Sequence, residues 1–325
     1  MITAGLCFQA ATSDTPDMVV YYGLPEEEGK IFITLFEKDY GVHIEGRAIK
    51  TGEMAEILAK EQKKPVASVV FGGSLPAYLS VKDKGLFAPY KPPQAKRFDK
   101  KFHDSGNFWT GIYVGIIGFC TSGTSDLKPP ASWQDLLKPA YRGKIALSNP
   151  LTSGTAYITL ATLTQLMGEE KAFKYMQTLD RQVSVYTRSG SEPCKLVSGG
   201  AAGVGISFVH DIIQIDRNKR KLLITFPAEG TGLEIGGAAI TKNAPNMKLA
   251  QKFIDFLCSP KVQNMYGKGK IPPRFPSHPD VKPPAAAFTQ GKAMKLIRFD
   301  FEWSGENEER LKKKWEELIL LRRKK

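Results

Sequence analysis

The stretch ALSNPLTSGTAYITLATLTQLMG, residues 146–168, decides the reading of the fold. An apolar strand end, Ile145 to Leu147, runs into Asn149, Pro150, Thr152, Ser153, Gly154 and Thr155, and a helical run begins at Ala156. A strand that passes through a short polar turn into a helix is the repeating unit of a mainly parallel sheet with helices on both faces. The unit recurs upstream. MVVYYGL (18–24) reads as a buried strand, and PEEEGKIFITLFEKDYG as a helix with Ile31, Leu35 and Phe36 at helical spacing. VHIEGRAI is a second strand and TGEMAEILAKEQKKP a helix opened by Thr51; ASVVFGGS and LPAYLSVKDKG repeat the pair. Further on, FWTGIYVGIIGFCTS is a long strand, 155–180 is largely helical with Leu160, Leu163, Met167 and Phe173 on an apolar face, and 183–213 reads strand, loop, helix, strand. LLITFPAEGTGLEIGGAAIT adds β structure, MKLAQKFIDFLCSPKVQNMYG an amphipathic helix, and Leu311, Trp315, Leu318 and Ile319 share a face of a docked terminal helix.

Why three hydroxyls and a glycine stand where the helix of the opening stretch begins has two physical answers. Ser and Thr cap helix N-termini by accepting from the first free N–H groups. An open helix end carrying the same groups also receives an anion. In parallel sheets ligands sit beyond the carboxyl ends of strands, which singles out YYGLP, FGGS and SNPLTSGT.

The 325 residues, 42% hydrophobic and 24% charged, suit a two-domain globular chain. No apolar run is long enough to span a bilayer. The net charge of +13 gathers in runs such as 217–221, 312–314 and 322–325 and reads as a basic surface, since neither finger spacing nor an RNA-binding aromatic signature accompanies it. Cys7, Cys120, Cys194 and Cys258 lie far apart without metal or redox spacing. Cys258 reads as core, and a Cys120–Cys194 bridge is conceivable without a spacing that supports it. The start, MITAGLCFQAATSDTPD, lacks the basic region and full apolar region of a secretory signal, and AGLC is a poor lipoprotein box. Residues 1–16 are therefore expected to be a tail or a trimmed signal.

The succession VVYYG, FGGSLPAYLSVKDKGLFAPY, PPASWQDLLKPAYRGKIALSNPLTSGTAYITLATLTQLMGEEKAFKYM, RSGSEPCKLVSGGAAGVGISF, FPAEGTG and AQKFIDFLCSPKVQNMY resembles the extracellular solute-binding proteins of ABC importers, in the group once described as iron(III)-binding. The likeness runs from about 17 to 320, with the elements in family order. It implies an α/β, two-lobe periplasmic-binding-protein fold (type 2), each lobe a mixed, mostly parallel sheet flanked by helices, with a β-strand hinge and one solute in the cleft. The lobes are expected at 17–114 with 234–290, and at 115–233 with 291–325. The resemblance further implies a monomer outside the cytoplasm (periplasmic, or membrane-anchored at its N-terminus), a membrane permease with its ATPase as partners, and no cofactor, enzymatic activity or nucleic acid.

Ferric-binding relatives clamp iron with adjacent tyrosines, where this chain has Phe208, Val209, His210 and Asp211, so iron is disfavoured. Their accompanying anion sits at a Ser-Gly-small turn, here Ser153, Gly154 and Thr155 preceded by Thr152. RSGSEP offers Ser189, Gly190 and Ser191, and FGGS offers Gly73 and Ser74 from the other lobe. Three such loops favour an anion site over mere capping. The hexose-phosphate-binding branch of the family implies a sugar-facing set at His210, Asp211 and Glu229, which makes the site bipolar: phosphate at one end, polyol at the other. A 2-aminoethylphosphonate or other phosphonate, or ferric ion with an anion, is the alternative cargo. The sequence departs from relatives at Ala67 and Ser68, where they carry an Asp, and at Gly23, where some carry a hydroxyl; the phosphate then relies on Tyr22 and backbone near Gly23. Arg188 either pairs with the phosphate or faces solvent. As to enzymes, no nucleophile elbow, GxGxxG after the first strand, P-loop or HExxH is found, and His43, His103, His210 and His278 are scattered.

Overall fold

The computed structural model describes residues 15–217, 221–267, 271, 273–285 and 294–323. The expected tail at 1–16 falls almost wholly outside the described residues, as do parts of the basic runs 217–221 and 322–325. The chain opens with β1 (Met18–Gly23), α1 (Glu26–Tyr40), β2 (Ile44–Ala48), α2 (Met54–Lys60), β3 (Val69–Ser74), α3 (Leu75–Asp83) and β4 (Phe87–Ala88). The middle holds β5 (Thr110–Ser122), β6 (Ile145–Ser148), α4 (Gly154–Met167), α5 (Glu169–Asp180), β7 (Val183–Thr187), α6 (Glu192–Ser198), β8 (Val204–Phe208), α7 (Val209–Asp216) and β9 (Leu222–Thr225). β10 (Leu233–Thr241), α8 (Met247–Cys258), α9 (Pro260–Gly267), β11 (Phe275–Pro276) and α10 (Phe301–Trp315) complete it.

The strands follow the order β2-β1-β3-β10-β5-β8-β6-β7. β1, β2 and β3 are parallel, as are β6, β7 and β8, because each is joined to the next through a crossover that includes a helix. β5 belongs to both halves. Its first part, up to Ile116, pairs antiparallel with β10, and from Ile117 it pairs with β8 and β9. At that changeover the second crossing lies alongside: Thr231 Oγ1 donates to the Ile117 carbonyl (2.8 Å) and Ile117 N–H to the Gly232 carbonyl (3.2 Å). Every residue of β5 but the last is buried, as a strand covered on both faces must be. This mixed α/β architecture around two shared strand crossings is the expected one.

Two expected helices are each two. The run 155–180 breaks at Gly168, whose φ of +80° ends α4 before α5 begins. The run 247–267 breaks at Ser259, because Pro260 forbids continuation and starts α9 instead. α4 carries no charge and is buried almost all round. Its threonines Thr159, Thr162 and Thr164 donate to carbonyls four residues back (2.9, 2.6 and 2.8 Å), so their hydroxyls go inside satisfied.

The terminal helix is docked as expected. Asp300 caps it, Glu169 takes both guanidinium nitrogens of Arg310 (2.9 Å each) and Lys314 (2.6 Å), and Trp315 is fully buried edge-on to Tyr186. It also reaches the other half, where Gly305 lies against Pro76 of α3. Cys120 and Cys194 form a disulfide that ties the crossing strand β5 to α6, packed over Gly205, and Cys258 is free and buried.

Candidate functional site

The carboxyl ends of the parallel strands carry most of the singled-out residues, in separate groups. On the β6–β7 side, Asn149 N–H donates to the Thr187 carbonyl (2.9 Å) and Thr152 Oγ1 to the Arg188 carbonyl (3.0 Å), which ties the two loops. Ser153 caps α4: its Oγ accepts from Ala156 N–H (3.3 Å) and reaches Ser148 Oγ (3.2 Å). Capping and anion chemistry thus coexist at this turn. A Cβ on Gly190 would lie 2.0 Å from Thr155 Oγ1 and 3.1 Å from Ser153 Oγ, so only glycine lets the RSGS loop close onto the hydroxyls. Ser189 and Ser191 face each other at 3.3 Å. A Cβ on Gly154 would meet nothing within 4 Å, leaving the first N–H groups of α4 approachable. Arg188 is exposed and its guanidinium has no ion-pair partner among the described residues.

On the β1–β3 side the surface is backbone. Gly72 and Gly73 have φ of +75° and +79°, which a side chain resists, and shape the end of β3 ahead of α3. The buried Tyr78 hydroxyl lies 2.7 Å from the Gly72 carbonyl and 2.8 Å from that of Gly237. Arg274 stacks on Tyr113 and pairs with Glu28 behind it. Ser74 stands at the N-cap of α3 without making a cap bond. Tyr22, expected to help here, is buried against Phe71 and Gly29, which leaves only backbone near Gly23.

A third group, the floor, lies over the crossing strand β5. His210 and Asp211 occupy the first turn of α7, directly after β8. The buried His210 ring stacks on Phe208 and its Nδ1 has no hydrogen-bond partner; burial lowers its pKa, against the pull of Asp211 3.9 Å away. Ser207 donates to the Gly190 carbonyl (2.7 Å) and reaches Asp211 Oδ2 (3.4 Å), so the floor and the RSGS loop are one network. A Cβ on Gly115 of β5 would touch Phe208, His210 and Glu234 at 3.1–3.2 Å, which places all three over the strand that crosses between halves. Burial, with Asp211 adding to it, pushes the Glu234 carboxyl up to about 8. At neutral pH it can donate while its neighbour accepts, a pairing that matches vicinal hydroxyls.

Glu229 is not part of this group. Its carboxylate accepts from the N–H groups of Trp133 (3.0 Å) and Gln134 (3.3 Å), capping the 3-10 turn Gln134–Leu137. It lines a separate hollow of about 430 Å³ with Gln134, Leu166, Met167, Lys171 and Tyr175. Glu234, five positions later, is the acid that lies with His210 over β5. The signal for it was present in LEIGGAAIT: a lone charge inside an otherwise apolar strand.

Among the described residues no group of three or more His, Cys, Asp or Glu is arranged to hold a metal ion, and no helix is long and apolar enough to cross a membrane. The sequence profile of bacterial extracellular solute-binding proteins matches residues 64–301. The periplasmic binding protein AfuA from Actinobacillus pleuropneumoniae, solved with exogenous fructose-6-phosphate bound, superposes with a TM-score of 0.80 at 32% identity, over 94% of this chain and 98% of that one. An uncharacterized protein of Haemophilus influenzae is 31% identical over 99% of this chain and 96% of its own length. The Fe(3+)-binding periplasmic protein of Serratia marcescens is 23% identical over 79% of this chain and 78% of its own.

Proposed function

We propose that this chain, which belongs to the family of bacterial extracellular solute-binding proteins, takes as its cargo a small phosphorylated polyol of the hexose 6-phosphate kind. Members of the family are the receptors of ABC importers: they bind a solute outside the cytoplasm and hand it to a membrane permease, and they are not enzymes. The observation that supports the finer reading is the pair of residue groups, one rich in hydroxyls at the start of α4 and one bearing carboxyls over β5, which we read as the two ends of one cleft. The hydroxyls of Thr152, Ser153, Thr155, Ser189 and Ser191 and the N–H groups of Gly154 and Thr155 that open α4, with Gly73 and Ser74 contributed by the other lobe, suit phosphate oxygens. His210, Asp211 and Glu234, at the other end, suit sugar hydroxyls.

In this reading the lobes are 17–114 with 234–290 and 115–233 with 291–325, and they close about the changeover in β5. Closure strips water from the phosphate and from the floor carboxyls together. Their separation matters, because two carboxylates beside a dianion would repel it. The bound fructose-6-phosphate of AfuA supports this cargo class. Against iron stand Phe208 and Val209, where a ferric clamp would need phenolates.

A thermal-shift panel tests it with hexose 6-phosphates, free hexoses, inorganic phosphate, 2-aminoethylphosphonate and ferric citrate. At 100 times its Kd a specific ligand adds about 2.7 kcal/mol, a rise of several degrees in Tm. A rise with phosphorylated hexoses and little with free hexoses is expected. A rise only with the aminophosphonate or ferric citrate overturns the reading.

A further inference from the structure

The β1–β3 wall carries one side chain that the reading above leaves unused. Thr51 opens the 3-10 turn Thr51–Glu53, which follows β2. Its side chain is wedged between two glycines from other strands. A Cβ on Gly23, the last residue of β1, would lie 2.7 Å from Thr51 Oγ1. A Cβ on Gly73 of β3 would lie 2.5 Å from Thr51 Oγ1 and 2.6 Å from its Cγ2. Gly23 pairs in register with Gly72, the residue before Gly73, so the two glycines that touch Thr51 lie side by side across β1 and β3. The notch is thus formed by two bare backbones and filled by one threonine, whose hydroxyl sits at the carboxyl ends of both strands. Thr51 is half-buried, and its Oγ1 makes no hydrogen bond with the described residues.

A threonine kept only as a filler would be served as well by valine, and a threonine kept as a cap would bond a nearby N–H. Thr51 is not a cap, since the turn it opens has Lys50 at its N-cap and no side-chain cap bond, and its hydroxyl adds something a valine filler would lack. Ser74, next to Gly73, likewise makes no side-chain cap bond, and its hydroxyl has no hydrogen bond with the described residues. We infer that Thr51 supplies the β1–β3 wall's hydroxyl to the anionic end of the ligand, donating through Oγ1 to a phosphate oxygen beside Ser74. This rests on the phosphorylated-solute reading above. It also gives Gly23 and Gly73 a shared purpose, since a side chain at either would displace the donor.

The test titrates wild type, Thr51→Val and Thr51→Ser with glucose 6-phosphate and with inorganic phosphate, followed by intrinsic tryptophan fluorescence. Losing one hydrogen bond to a charged oxygen should weaken both ligands by about 10- to 100-fold in Thr51→Val. Thr51→Ser, which keeps the hydroxyl, should stay within about threefold of wild type on the same scale. A further variant moves the donor across the notch: Gly23→Ser in a Thr51→Ala background should recover part of what Thr51→Ala loses. Equal affinity of wild type and Thr51→Val overturns the inference and leaves the cargo reading intact. Equal loss in Thr51→Val and Thr51→Ser assigns Thr51 to packing and overturns it as well. Absence of binding by wild type to either probe overturns both together.

Discussion

On the β6–β7 side the polar groups are side-chain hydroxyls held by one another or by backbone: Ser153 with Ser148, Thr152 with the Arg188 carbonyl, Ser189 with Ser191. On the β1–β3 wall they are few, and glycines decide the shape: Gly72 and Gly73 with positive φ, Gly23 and Gly73 closing on Thr51. The first wall is cross-braced, through Ser207 to the floor and through the Cys120–Cys194 bridge to the crossing strand. The second is set by how nearly two backbones approach. A hydroxyl-lined wall tolerates the loss of one partner, because its neighbours remain. A notch between backbones tolerates almost no added volume.

The braced wall should therefore yield first to removal of its covalent tie. The bridge closes a segment of 74 residues, and in the chain-entropy account such a loop contributes about 4 kcal/mol to stability. Denaturant midpoints of the oxidised protein and of a Cys120→Ala/Cys194→Ala variant measure it. A difference under about 1 kcal/mol would mean that the hydrogen bonds of the β6–β7 wall suffice alone, which breaks the contrast between the walls.

For the notch the sharper probe is a single methyl. Gly73→Ala adds a Cβ 2.5 Å from Thr51 Oγ1 at a φ of +79°. Strain and displacement together should cost about 2 kcal/mol of stability and a comparable share of phosphate affinity. Gly154→Ala, on the other wall, meets nothing within 4 Å and should leave stability unchanged to within about 0.5 kcal/mol. Melting curves of the two variants, side by side, decide whether the walls differ as described.

The same difference explains what could be read from the residues alone. Alternating strands and helices gave the layered α/β fold, because hydrophobic periodicity is local. The hydroxyl loops were legible for a similar reason: SNPLTSGT and RSGSEP are contiguous and stand at helix starts. Thr51 was legible only as a helix opener, since its two glycine partners come from strands paired across β1 and β3. The breaks at Gly168 and Pro260 were visible residues whose effect was outweighed by an uninterrupted apolar pattern. Glu229 was assigned by position within FPAEGTG, but the fold spends its carboxylate on the N–H groups of Trp133 and Gln134, which lie 95 to 96 positions earlier. Such a pairing has no local signature.

The floor offers the last and smallest test, on two glutamates five positions apart. Glu229→Ala removes a cap from two backbone N–H groups and should cost about 1 kcal/mol of stability with no change in ligand affinity. Glu234→Gln should act through pH instead. The folded protein holds the Glu234 proton up to about 8, well above the ordinary carboxylate value of 4.5, while the unfolded chain releases it near that ordinary value. Across that interval the unfolded state binds fewer protons, so this group makes stability fall as pH rises, with no further loss above about 8. Asp211 strengthens the effect, and the buried neutral His210 beside it adds no compensating positive charge. Replacing the carboxyl with an amide should flatten that part of the pH–stability profile and weaken the sugar phosphate more than inorganic phosphate, since the floor faces hydroxyls rather than the anion. If Glu229→Ala and Glu234→Gln instead exchange these behaviours, the acid at the floor is Glu229 after all, and the separation of the two ends must be redrawn.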